Sequence, residues 1–247
     1  MPFFDFHLHP TLKSLFSEND ATKQLKKHSP WVPLDKSKIP FLLKCCTEFK
    51  YILQSQGNLA QLAASDCNLI CVALYIPEKD ILTDKLIMQS TKGPLNIYLQ
   101  EDKINALINC NPYQMLRTDD WATLTDAGQF GITNKKVKPI KKRSDYDEND
   151  QSTIHVVFSV EGCHTLSSEL QNFDVDTIIS NIDNLRSNVA LISVNLTHME
   201  QSPLCNQAFG MQFLSNEGFR PTGFKISDAG IKVLKHCYEN KIMIDVK

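Results

Sequence analysis

The chain has 247 residues, 42% of them hydrophobic and 22% charged, with a formal net charge of -2. That length builds one large domain or two small ones, and the balance is that of an ordinary soluble globular protein. A charge so near neutrality argues against nucleic acid, an acidic substrate or an anionic membrane surface as the partner.

The amino terminus lacks a basic segment followed by an apolar one, so it does not read as a signal peptide. No apolar run approaches the roughly 20 residues that span a bilayer. The eight cysteines (45, 46, 67, 71, 110, 163, 205 and 237) have no paired CxxC rhythm, and several lie in apolar runs. They read as reduced core residues of a cytoplasmic protein.

The first element is Phe3-Phe4-Asp5-Phe6-His7-Leu8-His9-Pro10. Its apolar and polar residues alternate strictly, which predicts a strand with both imidazoles on one face. Two nitrogen donors at a strand end that a proline closes make half of a metal site. The plainer alternative is an edge strand with surface histidines. Asp5, on the same face, is a candidate acceptor that fixes an imidazole tautomer.

Residues 11–39 are polar and read as an irregular excursion, and Phe41–Ala64 shows helical spacing, with Gly57 a break between two helices. Asn68–Pro77 is a continuous apolar run of the kind found in a parallel strand buried on both faces. Between 78 and 151 the pattern is weak. Helical fragments are expected around Ile81–Met88 and Tyr98–Leu107, and the basic run 135–143 and acidic run 145–150 read as neutralising one another in a mobile loop.

Ile154–Gly162 is the next strand, apolar until it ends in Glu161 and a glycine. His155, in mid-strand, reads as a satisfied core histidine, and His164 as structural. A helix capped by Asp174 follows, then a strand over 189–198 that ends in Thr197-His198. Ser227 caps a second amphipathic helix, and Ile242–Val246 begins a fifth strand.

Strands alternating with amphipathic helices imply βα units and a parallel sheet. Three strand ends carry His-x-His, Glu-Gly and Thr-His. In a β/α barrel such ends converge on one mouth. A doubly wound open sheet usually carries a glycine-rich phosphate loop, and none is present. The predicted fold is a TIM-type (β/α)8 barrel of which this chain supplies about the first five strands, with His7, His9, Glu161 and His198 meeting at its mouth.

These stretches resemble the renal, or membrane, dipeptidases of the amidohydrolase superfamily. The resemblance is carried by Asp5-Phe-His7-Leu-His9, Val160-Glu161-Gly162-Cys-His164-Thr-Leu166, Leu196-Thr197-His198 with Ser202-Pro203-Leu204-Cys205-Asn206, Gly223-Phe-Lys-Ile-Ser227-Asp228-Ala-Gly230, and Ile244-Asp245-Val246. It covers strands one and three to five. Residues 10–40 and 90–150 fall outside it and read as insertions or loops in an incomplete amidohydrolase-type barrel spanning 1–247.

The resemblance implies a binuclear Zn2+ centre, with His7 and His9 on the more buried ion and Glu161 bridging both. It implies that His198 polarises the scissile carbonyl of a dipeptide or similar amide, and, since relatives of this kind are often dimeric, it implies a homodimer. The family generally has His-x-Asp where this chain has His-x-His, which leaves metal identity open. Its later metal-binding histidines and catalytic aspartate have no counterpart here. The 247 residues are therefore expected to be the front of a longer polypeptide, with little or no hydrolysis by themselves. The alternatives are a TatD- or PHP-like metallo-phosphoesterase, and a non-catalytic barrel relative that serves as a binding or scaffold protein.

Overall fold

The structure is a computed structural model that describes residues 3–10, 12, 15, 58–93, 96, 99–116, 135–171, 173–206, 223 and 225–245, apart from 94–95, 97–98 and a few side chains such as that of Asp5. The helices expected over 41–57 and the excursion over 16–39 lie outside the described residues.

Six parallel strands form one sheet: β1 (Phe3–Leu8), β2 (Cys67–Leu74), β3 (Lys136–Pro139), β4 (Thr153–Val160), β5 (Leu191–Asn195) and β6 (Met243–Asp245). Their spatial order is β1-β2-β4-β5-β6, with β3 paired to β4. Each main strand is added on the same side as the one before it. A doubly wound sheet would reverse direction at a switch point; a barrel wall advances one way. The fold is thus a parallel half-barrel of the TIM type, and among the described residues β1 and β6 are its edges.

Strand β3 departs from expectation, since residues 135–143 were to be the basic arm of a loop. Lys136–Pro139 instead pairs with Thr153–Val156 along the edge of β4 that β5 takes up from Phe158. The Ala190 N–H donates to the Ile140 carbonyl at 2.8 Å, which hands that edge from one strand to the other. Lys135 anchors the start of β3, donating from Nζ to the carbonyls of Ser65 at 2.7 Å and Cys67 at 3.1 Å. Asp145 accepts the N–H groups of Lys141 and Lys142, so the acidic run folds back on the basic one by hydrogen bonds to its backbone.

The helices pack on one face of the sheet. In β4 the even residues Ile154, Val156, Phe158 and Val160 are fully buried, as are Ile70, Val72 and Leu74 of β2. They meet Ile178, Ile182 and Leu185 of the helix Val175–Asn188 and Val233 and Cys237 of the helix Asp228–Glu239 in one continuous core. Each such side chain contributes about 1.5–3 kcal/mol by leaving water. Both helices start as their sequences require: the Asp174 carboxylate accepts the Thr177 N–H, and the Ser227 hydroxyl accepts that of Gly230. The described cysteines carry thiols.

The opposite, concave face is small and polar. The odd residues point there, with Cys71 paired to Val157, Ala73 to Ser159, and Ser159 to Ser193. With little bulk to fill it, this face holds a cavity of about 390 Å3 lined by His7, Cys71, Ser159, Glu161, Ser193 and Asn195 among others. No helix among the described residues is long and apolar enough to cross a membrane.

Candidate metal centre

The ladders stop at Leu8, Leu74, Val160 and Asn195, and the chemistry starts within the next few residues of each chain. His9 follows β1, Tyr75 and Glu78 follow β2, Glu161 follows β4, and His198 follows β5. All four strands run the same way, so their ends share one rim. In β1 the pairing slips between Asp5 and Leu8, where three steps along β1 match two along β2. A slip of that kind re-aims side chains, and His7 and His9 lie in and just beyond it.

His7, His9, Glu161 and His198, the four residues singled out in the sequence, come together. The His9 Nε2 is 2.9 Å from Glu161 Oε2, the His7 Nε2 is 3.5 Å from Oε1, and the His198 Nε2 is 3.2 Å from Oε1. One ligand atom each from His7, His9 and Glu161 fits within 4.8 Å. Glu161 is 3% exposed, whereas the His7 side chain is about half open to the cavity.

Hydrogen bonding shows that this cluster fits a cation. The His9 Nδ1 lies 3.0 Å from the Ala73 carbonyl, which only accepts, so the proton is on Nδ1. A neutral His9 then turns the lone pair of Nε2 toward a carboxylate oxygen. Two acceptors at 2.9 Å repel unless a proton or a metal ion lies between them. A backbone carbonyl behind the ring is the arrangement that fixes the tautomer of a metal-binding histidine. The carbonyl does for His9 what was expected of Asp5, whose side chain is not among those described.

His198 has a carboxylate on each side. Its Nε2 faces Glu161, and its Nδ1 lies 3.2 Å from Glu78 Oε1. Burial works against its charge, but the hydrogen bonds to Glu161 and then Glu78 outweigh it and push the imidazole up to about 9. Burial likewise pushes the Glu161 carboxyl up, and the hydrogen bonds of His198, His7 and His9 hold it well below the usual range.

Gly162 makes the turn possible. Its φ of 84° lies in the left-handed region, and a Cβ there would collide with the His164 ring. That ring is buried, its Nε2–H donates to the Ile76 carbonyl at 2.6 Å, and burial lowers its pKa. His164 is structural, as expected. His155 is too: its Nδ1 is 3.1 Å from the Asn68 carbonyl and its ring meets Tyr146 edge-on.

Three further members, Glu78, Tyr75 and Glu200, were not found in the sequence. Glu78 is 1% exposed and accepts from the Met199 N–H at 2.8 Å and from the Tyr75 hydroxyl. The Tyr75 ring stands edge-on to His198 with centroids 4.6 Å apart. Glu200 is pushed up to about 8 by burial and by the charges of Glu78 and Asp80. The signal was positional: Glu78 sits just beyond an apolar run that ends in proline, where the other strands also place their polar groups.

No protein-family profile matches the chain, and no curated protein is similar to it in sequence. Among solved structures it is similar to the dipeptidase AC, a metallopeptidase of family M19, at 13% identity and a TM-score of 0.42, over 99% of this chain and 56% of that one. It is similar to the same degree to a metallopeptidase from Rhodobacter sphaeroides liganded with a phosphinate mimic of the dipeptide L-Ala-D-Ala, over 99% of this chain and 58% of that one. The chain spans a little over half the length of either structure. A TM-score of 0.42 identifies no family, and the chemistry has to be read from the site's own atoms.

Proposed function

We propose that this chain carries the metal centre of a hydrolase that cleaves the amide bond of a dipeptide or a similar small substrate with a metal-activated water. One observation supports the reading above others: His9 is committed through Nδ1 to a backbone carbonyl, which leaves its Nε2 facing a buried carboxylate across a gap that a proton or a metal ion must fill. His7, His9 and Glu161 would hold that ion. Imidazole and carboxylate donors suit Zn2+, and such an ion supplies the Lewis acidity that makes water nucleophilic near neutral pH.

The roles of the residues follow from their positions. Glu161 turns Oε2 to His9 and Oε1 to His7 and His198, and a carboxylate with both oxygens in the cluster would suit a binuclear centre. His198 would touch the substrate. A protonated Nε2 at the rim is a donor for a carbonyl oxygen as negative charge builds on it, and losing one such donor typically costs roughly 10²–10³ in rate. The cavity of about 390 Å3 beside His7 and Glu161 gives a small substrate room to enter.

Hydrolysis is proposed of the whole protein; for residues 1–247 alone we expect metal binding with little or no turnover. The test is metal analysis of the purified protein followed by a panel of dipeptides and phosphodiesters assayed with Zn2+ and with chelator. Zinc at one or two ions per chain and chelator-sensitive dipeptide cleavage are expected. Phosphodiester turnover without amide cleavage would reject the substrate class, and absence of both metal and turnover would favour a binding or scaffold role.

A further inference from the structure

Glu78 precedes the short helix Lys79–Thr83 at its N-cap, where a carboxylate ordinarily accepts from the first turn. Its side chain makes no such bond. Glu200, 120 residues beyond Asp80, supplies that acceptor, taking the Asp80 N–H on Oε2 at 3.1 Å. The local duty is met from afar, and Glu78 is turned inward.

It points at His198. Glu78 Oε1 lies 3.2 Å from the ring's Nδ1, within ion-pair distance, and takes the Met199 N–H at 2.8 Å, while Oε2 takes the Tyr75 hydroxyl. Two of these groups belong to His198 and its neighbour in sequence. A carboxylate that is 1% exposed and bonded on both oxygens does not swing. With Nδ1 set against that carboxylate, the Nε2 of the planar ring faces Glu161 at the rim. Tyr75 closes the pocket, its hydroxyl on Glu78 and its ring edge-on to His198.

We propose that Glu78 is the positioning residue of His198, which fixes its tautomer and holds Nε2–H at the Glu161 side of the rim, where the substrate carbonyl would bind. This rests on the role of His198 proposed above. Glu78 touches neither substrate nor ion; it acts through the ring. Burying a carboxylate against an imidazole has a cost that a neutral, well-packed pair would avoid. A purely structural role would not require the charge there. The same division of labour, with one carboxylate orienting an imidazole from behind, recurs on unrelated folds.

The experiment is imidazole NMR on the 15N-labelled chain, with and without Zn2+, for the wild type and for Glu78→Gln, Glu78→Asp and Glu78→Ala. His198→Gln assigns the His198 signal, and circular dichroism checks folding. The wild type is expected to show a slowly exchanging Nδ1–H on His198. A hydrogen bond to a charged group is worth about 1.5–3 kcal/mol, so its loss in the Asp and Ala variants should speed exchange by about 10–100-fold. Gln, which keeps an acceptor oxygen in place, should restore the slow proton, and zinc stoichiometry should be the same in all four proteins. If the Ala variant does not fold, the one-carbon-shorter Asp variant decides the question. Exchange within about twofold of wild type in folded Glu78→Asp, failure of Gln to rescue, or a fall in zinc stoichiometry would each overturn the assignment. Failure of the whole protein to cleave amides would sink the proposed activity and leave these exchange rates unchanged, so the two failures can be told apart.

Discussion

His155, buried, and His198, half-buried, are histidines of the same half-barrel, and they sit in opposite kinds of surroundings. At the amino-terminal end of β4, the direct partners of His155 are neutral, the Asn68 carbonyl on Nδ1 and the edge of Tyr146, and the Asp150 carboxylate acts on it only through its charge. Asn68 in turn takes the Tyr146 hydroxyl and donates to the Glu148 carbonyl, so the network closes on itself. At the carboxyl-terminal rim, His198 stands between two carboxylates, and His7 and His9 crowd one of them. A satisfied neutral network stabilises one arrangement and asks for nothing more. Carboxylates and imidazoles buried together ask for protons or metal ions, and such demands cluster where chemistry is done.

Removing Glu161 should break the comparison at its strongest point. Losing a residue behind a metal ligand commonly weakens binding 10–100-fold, so losing the carboxylate itself, as in Glu161→Gln, should weaken zinc by at least about 10²-fold. Calorimetric titration reads this directly. Next in size is Gly162→Ala, which forces a side chain into the left-handed region and against the His164 ring. It should destabilise the chain by about 2 kcal/mol, seen in urea denaturation.

The neutral end should behave differently. His155→Leu leaves the Asn68 carbonyl without the ring and should lower stability by about 1–2 kcal/mol, with zinc affinity within about twofold of wild type. A large loss of zinc binding there would show that the two ends are not independent.

The smallest effect is on pH dependence. Glu200 has a folded pKa raised to about 8 by burial and the charges of Glu78 and Asp80. The folded state then holds this proton more tightly than the unfolded one does. Its contribution is therefore most favourable below about 4.5 and is lost as pH rises from there to about 8. Glu200→Gln should flatten that decline in the metal-free chain, measured as the urea midpoint across the same range.

Much of this was legible because strands advertise themselves twice, in their apolar interior and in the polar residues that end them. Ile154–Val160 followed by Glu161-Gly162 is unmistakable in that sense, as are Asp174 and Ser227 ahead of amphipathic stripes. Lys136–Pro139 was not, because a four-residue strand with one apolar side chain between two lysines carries no period to detect; its partner is the buried start of β4. Glu78 was missed for a different reason. Its local setting predicts a helix cap, and only the arrival of His198 and Glu200 from about 120 residues away reassigns it.

Everything functional depends on whether a divalent ion sits among His7, His9 and Glu161. Crystals grown with Zn2+ and measured at the zinc absorption edge test this most directly. The account predicts an anomalous peak about 2.0–2.2 Å from Nε2 of both histidines and from a Glu161 oxygen. Full-occupancy zinc elsewhere, or no peak there with the three side chains still converging, would contradict it.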